Sequence, residues 1–417
     1  MTQVASRPAA AAPATAAPAT PSAPSYRENV PALLNRWQVV AVAACVLFGV
    51  VAALLQLLSW QANGRAADNT EQLVRVQQIQ SSLLRADALA TNAFLNGGLE
   101  PADQRAEYDA AIDQVLRGIA DAADAQPADR EALAELNTQL SAYASSVSQA
   151  RDNNRQGLPV GAEYLNLAGT SLRAEALPTV AALVDANSER AVDEMGGQHP
   201  FLLFLVGVAA VAALWWVNQQ LAQRFRRRFN VGIVVAGVAV VLLTVVTALY
   251  ASGRSGGNDE LRDSSYRLAV DEASARTAAN DAKANESLRL IKRGSLIEEP
   301  WTAAATTVRD TASPQTLPLW EDYAERHEEI IELDADGAWD DAVAAATSPE
   351  PGGSTAALNA FDEASQEVIT AAGEETTSSL RSGGVLALLL IGLTLLGGLA
   401  AAGAATWGVN QRRREYS

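Results

Sequence analysis

The chain has 417 residues, of which 49% are hydrophobic, and its 31 basic against 48 acidic side chains give a formal net charge of −17. Such an acidic balance repels a phosphate backbone, so nucleic-acid binding is excluded as a main function. Cys45 is the single cysteine, so no disulfide forms within the chain and its folded parts are held by packing alone.

Residues 1–26 are almost entirely Ala, Pro, Thr and Ser, a composition unable to bury a core, and the tail 1–36 is read as disordered. The first apolar run, Val39–Leu58, is bracketed by Trp37 and Trp60 as an aromatic belt would bracket it. No small-residue cleavage pattern follows Trp60, so the run is a membrane span over 37–60 rather than a removed leader. Three more runs follow: Phe201–Val217, Val231–Ala251 and Val385–Trp407. All four are 17 to 23 residues long and lack Asp, Glu, Lys, Arg and His. That length crosses a hydrocarbon core of about 30 Å, and a helix satisfies its own backbone there. Spans are therefore expected at 37–60, 200–217, 231–251 and 385–408.

The segment 61–199 carries apolar side chains at steps of three and four. Leu73, Val76, Ile79, Leu83, Ala86 and Ala90 make one stripe; Tyr108, Ile112, Val115, Ile119 and Ala122 a second; Leu133, Leu136, Leu140, Tyr143, Val147 and Ala150 a third; Leu165, Ala168, Leu172 and Ala176 a fourth. This is helical periodicity. Breakers separate the stripes at Gly97-Gly98 with Pro101, at Gln126-Pro127 and at Gly157-Leu158-Pro159, and Pro178 predicts a kink in the last helix. Four such helices form an up-down-up-down bundle that returns the chain to its starting side. Segment 252–384 repeats the plan. Leu261, Leu268, Ala275 and Ala282 recur every seven residues, Pro300 starts a second helix, Trp320, Tyr323, His327 and Ile330 mark a third, and Leu358, Phe361, Ala364, Val368 and Ala371 a fourth. The fold class is thus an all-α membrane protein with four transmembrane helices and two four-helix bundles. A tandem duplication is suggested by Asn63-Gly64-Arg65 against Ser252-Gly253-Arg254, and Asn69 against Asn258.

Charge sets the orientation. The turn 218–230 carries Arg224, Arg226, Arg227 and Arg228, and the tail 409–417 carries Arg412, Arg413 and Arg414, whereas segment 61–200 has net charge −10 and segment 252–384 net −15. By the positive-inside rule the basic turn and both termini are cytoplasmic, and both bundles lie outside a bacterial plasma membrane. The cytoplasmic arginines serve topology and lipid headgroups first, and Arg226, Arg227, Arg228, Arg412, Arg413 and Arg414 are the candidates for relaying a signal to a partner.

Enzymatic function finds little support. His199 and His327 are the only histidines, no GxxxxGK[ST] or GxGxxG loop exists, and no cofactor is expected. Glu332-x-Asp334-x-Asp336-Gly337 resembles half a calcium loop, but its twelfth position is Val343 rather than Glu, so it reads as a solvated helix end. His327 shares a stripe with Trp320 and Tyr323 and reads as a core histidine. The spans hold no ionisable residue, which argues against transport. Gly49 with Ala53, Gly398 with Ala402, and Gly397 with Ala401 have the spacing that lets spans approach closely. Gly64, Gly196-Gly197, Gly253, Gly256-Gly257 and Gly383-Gly384 fall where bundle meets membrane and are expected as hinges. Arg85, Asn92, Arg276 and Asn285, on the first helix of each bundle, are candidates to face a ligand or a partner, including a second copy in a homodimer.

Span, four-helix bundle, span resembles the sensor module of bacterial chemoreceptors and sensor kinases. With the segments Arg85-Ala86-Asp87-Ala88-Leu89-Ala90-Thr91-Asn92-Ala93-Phe94-Leu95, Asn154-Arg155-Gln156-Gly157-Leu158-Pro159-Val160-Gly161 and Phe361-Asp362-Glu363-Ala364, the chain resembles GlnX-type membrane components of actinobacterial amino-acid sensing. That resemblance implies an extracytoplasmic solute-binding lipoprotein like GlnH, which takes acidic amino acids and their amides, and a cytoplasmic Ser/Thr kinase like PknG. The alternative is an envelope scaffold with no ligand-dependent signalling.

Overall fold

The computed structural model describes residues 30–96, 100–225, 230–293 and 298–415. Arg226, Arg227 and Arg228 lie outside the described residues, as do the tail 1–29 and the side chains of Arg412, Arg413 and Arg414. The described residues are helical, with no strand among them.

The expected borders between span and bundle at 60/61 and 251/252 fall inside helices. The first helix, α1, runs unbroken over Val30–Leu95, 66 residues. At 1.5 Å per residue this is about 100 Å, far more than a membrane needs. Following chain order, α2 is Ala102–Ala125 and α3 is Arg130–Arg155 after a single 3₁₀ turn. The fourth helix of this half is α4, Val160–Ser171, joined to α5, Leu177–Met195, by a π segment at Leu172–Ala176. A short turn leads into α6, Pro200–Phe225. The second half rises along α7, Val231–Leu261, a second π segment at Arg262–Tyr266, and α8, Arg267–Lys292. It continues with α9, Glu298–Thr311; α10, Leu317–Ala335; α11, Trp339–Thr347; and α12, Ser354–Arg381, before α13, Gly384–Glu415.

Four of these helical runs are long and apolar enough to cross a membrane, and the chain is a membrane protein. The spanning parts make a closed ring in which α1 touches α6 and α13, and α7 touches the same two. Chain direction alternates around that ring, so every neighbour is antiparallel. The two seams of α13, with α1 and with α7, are made by glycine. A Cβ on Gly398 would stand 2.7 Å from the Cα of Gly49, and one on Gly408 would stand 2.6 Å from the Cα of Gly232. No side chain fits between backbones that close, which is how small residues drive span packing. At one end Asn230 caps α7 by accepting from Gly232 N at 3.1 Å and donates to Gly408 O at 3.0 Å, tying α7 to α13.

Above the spans, α1 to α5 enclose a first core containing Leu83, Val115, Leu136, Leu140, Tyr143, Leu172 and Val180. The expected stripes of this half are buried, apart from a partly buried Ile112. The second core, between α8, α9, α10 and α12, is aromatic: Trp301, Trp320, Tyr323 and Phe361. Three expectations are corrected. The Pro178 kink takes the form of the π segment Leu172–Ala176 just before it; proline cannot donate to Ala174, and the extra residue accommodates its ring. In the second half Leu268 is 39% exposed, and just after a π turn at Arg262–Tyr266 the buried positions are Tyr266 and Ala269 instead. Gly64, Gly253, Gly256 and Gly257 sit inside continuous helices rather than at hinges, since the backbone ladder runs on through them. The short α11 was not anticipated; a left-handed Gly337, φ 79°, turns the chain into it.

Replacing Gly398 with Leu forces α13 away from Gly49, whereas a Cβ on Gly403 would meet nothing within 4 Å, so that position should accept the same change. Overpacking costs about 1–3 kcal/mol. Thermal unfolding in detergent should show Gly398→Leu clearly destabilised and Gly403→Leu close to the parent; equal effects would contradict the glycine seam.

Candidate functional site

The two bundles lie side by side, with α1 of the first packed along α8 and α12 of the second. Their contact surface is polar, and its centre is Asp362 on α12. Arg276 of α8 donates to both carboxylate oxygens, Nε to Oδ1 and Nη2 to Oδ2, each at 2.9 Å. Its remaining Nη1 donates across the seam to Ser81 Oγ of α1 at 3.0 Å and also to Gln366. Arg85 of α1 reaches back, donating to Asn359 Oδ1 at 3.0 Å with its other Nη 3.6 Å from Asp362. Asn280 Nδ2 donates to Asp362 Oδ1 at 2.9 Å. Arg276 is 5% and Asp362 7% exposed. Burial alone would raise the Asp362 carboxyl, but the charges of Arg276 and Arg85 and the hydrogen bonds from Arg276 and Asn280 prevail and hold it below its ordinary value.

A second bridge lies further along the same face. The first π segment presents Arg173, whose Nη1 donates to Asp87 Oδ2 of α1 at 2.8 Å and whose Nη2 donates to Asp281 Oδ1 of α8 at 2.6 Å. Tyr143 donates to the other oxygen of Asp87 at 3.2 Å. Asn285 Nδ2 steadies Asp281 from its own helix at 3.2 Å, and Asn92 Nδ2 donates to Thr355 Oγ1 of α12 at 3.3 Å. The other π segment also reaches across the seam: Tyr266 and Ser188 of α5 pair their hydroxyls at 2.9 Å. Both π segments therefore supply a bridging side chain, in keeping with the use of such bulges at functional positions. Nearer the membrane, Asn258 donates to Asn63 Oδ1 at 2.9 Å and to Met195 O at 2.8 Å, and Arg381 donates to Glu71 at 2.6 Å and Asp68 at 2.8 Å.

Arg85, Asn92, Arg276 and Asn285 thus all lie at or beside one surface, the contact between the two bundles of the same chain. Sequence reading found these four but missed Asp362, Arg173, Asp87 and Asp281, which complete the ion pairs. The signal that could have found two of them is a carboxylate directly beside an apolar stripe residue, as in Ala86-Asp87 and Phe361-Asp362. The crevice beside Arg276, lined by Gln77, Gln78, Ser81, Ala273, Gln366 and Ile369, is too narrow for water, so the seam is a joint rather than a pocket.

The second bundle has its own buried charge cluster. Lys283 Nζ donates to Glu286 Oε1 at 2.6 Å, Ala346 O at 2.7 Å and Ser354 Oγ at 2.9 Å. Glu286 Oε2 lies 2.9 Å from His327 Nδ1, and the His327 ring stacks on Trp301 with centroids 3.8 Å apart. His327 is 2% exposed, a core histidine as its stripe suggested. Burial opposes ionisation of Glu286, but Lys283 and His327 outweigh it and bring the carboxyl down to about 2. Glu332, Asp334 and Asp336 end α10, with Asp334 3.6 Å from Arg289. Among the described residues no cluster of three His, Cys, Asp or Glu side chains is arranged to hold a metal ion.

Residues 62–196 match the family described as Actinobacterial sensor domain. The match takes in the first bundle from just beyond its membrane border to the turn before α6, and it supports an actinobacterial sensor component. No curated protein and no solved structure matches the chain.

Glu286 titrates about 2 when folded against an ordinary 4.5, so it stabilises the fold above pH 4.5 and loses that contribution as pH falls toward 2. Glu286→Gln leaves Lys283 buried and unpaired, at a cost of about 3–5 kcal/mol at pH 7. Denaturant unfolding followed by tryptophan fluorescence should show the variant less stable at pH 7 and its stability falling less steeply between pH 4.5 and 2. A slope identical to the parent's would contradict the assignment.

Proposed function

We propose that this protein relays an extracytoplasmic binding event through the membrane to a cytoplasmic partner. The observation that carries the reading is continuity: α1 and the α7–α8 rod pass from the membrane ring into the head without a break, and the two rods touch along the polar seam. A small shift between the bundles is then a shift between spans. Helix movements of about 1–2 Å belong to the known switching repertoire. The sensor-domain match over the first bundle supports a sensing role.

In this proposal both termini and the turn 218–230 are cytoplasmic, and segments 61–199 and 252–384 are duplicated bundles outside. The stimulus is a solute-binding lipoprotein of the GlnH kind loaded with an acidic amino acid or amide; the output is a Ser/Thr kinase of the PknG kind. The ligand need not touch this chain, because a binding protein that prefers one bundle arrangement biases the equilibrium by its differential affinity. Arg226, Arg227, Arg228, Arg412, Arg413 and Arg414 form the cytoplasmic docking surface, and no catalysis by this chain is required.

The test reconstitutes the full chain in nanodiscs with the loaded binding protein and measures kinase capture. The parent should change its capture of kinase when the binding protein is loaded, and the variant with those six arginines changed to Gln should capture at least tenfold less. Capture that is equal with and without the loaded binding protein would favour a scaffold and sink the relay.

A further inference from the structure

Where the spans meet the bundles, α1, α7 and α13 surround a cavity of about 570 Å³. Its volume falls in the range of small-molecule sites, about 300–1,000 Å³. One side is apolar, built by Leu203, Ala251, Val385, Ala387 and Leu388, and the other is polar. Trp60 and Tyr250 stand on its rim, with the Gly383-Gly384 turn between α12 and α13 packed against them: a Cβ on Gly384 would lie 3.4 Å from Trp60 Nε1, and one on Gly383 would lie 3.7 Å from the Tyr250 hydroxyl. Trp and Tyr prefer the headgroup level of a bilayer, so the cavity opens at that depth.

One charge in it is not balanced by the fold, that of Arg254. The other arginines at the cavity are neutralised: Arg65 by Glu194 at 2.6 and 2.9 Å, Arg381 by Glu71 and Asp68. Arg254 donates only to neutral acceptors, Ser382 Oγ at 3.3 Å and Leu380 O at 3.0 Å, and among the described residues no carboxylate lies within ion-pair distance of it.

We propose that this cavity binds one anionic phospholipid from the leaflet that faces the bundles, with its phosphate on Arg254 and an acyl chain along Leu203, Val385 and Leu388. A guanidinium matches phosphate geometry, and the apolar side continues into the membrane. The head segments carry net charges of −10 and −15, so bulk electrostatics disfavours anionic lipid near them. A preference for such lipid must come from a local site. Because the turn at Gly383-Gly384 joins the second bundle to its last span, a lipid held there also supports that joint. The inference does not rest on the relay proposal.

The test uses the full chain in detergent and in nanodiscs, with phosphatidylglycerol and phosphatidylcholine as probes and native mass spectrometry and thermal unfolding as readouts. The parent should hold one phosphatidylglycerol, at least tenfold tighter than phosphatidylcholine, with a raised Tm. Arg254→Gln should lose the preference, Arg254→Lys should keep part of it, and the distant Arg117→Gln should keep all of it. Leu388→Trp, which narrows the apolar side and leaves the charge alone, should also lose the bound lipid and decides the matter should Arg254→Gln not fold. Equal affinity for the two lipids in the parent, or an unaltered preference in Leu388→Trp and Arg254→Gln, would overturn the site. Inorganic phosphate reproducing the Tm shift in detergent would overturn the lipid as its source.

Discussion

The arrangement of the head depends on one buried ion pair, the bidentate contact of Arg276 with Asp362. Both partners belong to the second bundle, yet Arg276 spends its remaining donor on Ser81 of the first, and Arg85 of the first bundle turns back toward Asp362. Three helices thereby converge on one carboxylate. Buried charge of this kind is weak evidence for stability, because desolvation offsets much of the attraction, but removing one partner leaves a charge stranded and costs about 3–5 kcal/mol. Its physical consequence is register. An apolar face between α1 and α8 would tolerate sliding, whereas a fork with fixed partners on both bundles does not.

The seam also explains the two π segments. Each adds a residue to a helix that would otherwise keep its phase, and each brings a long polar side chain onto the neighbouring bundle, Arg173 to Asp281 and Tyr266 to Ser188. The extra residue is an irregularity within each bundle and a connection between them. Continuity of α1 and of the α7–α8 rod then carries whatever happens at the seam to the glycine contacts of the membrane ring. Joint, rod and ring form one mechanical path, made of packed side chains and uninterrupted backbone.

Much of this was legible in the sequence. The spans stood out because charge is absent from four runs, and the first bundle because its stripes keep helical spacing between clear breakers. The phase break in the second half was not legible, since nothing in Arg262-Asp263-Ser264-Ser265-Tyr266 distinguishes a π turn from an α turn by composition. Pro178 did announce a disturbance, and the structure resolved it as a bulge. Site residues were half legible. Arg85, Asn92, Arg276 and Asn285 drew attention as polar groups on core helices, but the carboxylate that the two arginines share is far from them in sequence, 277 residues from Arg85 to Asp362, and periodicity carries no information about such pairings. Likewise, the sequence analysis did not single out Lys283 and Glu286, which are buried by the packing of α10, α11 and α12 around them.

The central claim is that the two bundles behave as one unit through the seam. Hydrogen exchange on the full chain with Asp362→Ala tests it most directly, because Asp362 belongs to the second bundle and its loss should be felt in the first. The account predicts reduced protection in α8 and α12 and, together with it, in the α1 stretch around Ser81 and Arg85. Loss of protection confined to α8 and α12, with α1 exchanging as in the parent, would contradict it.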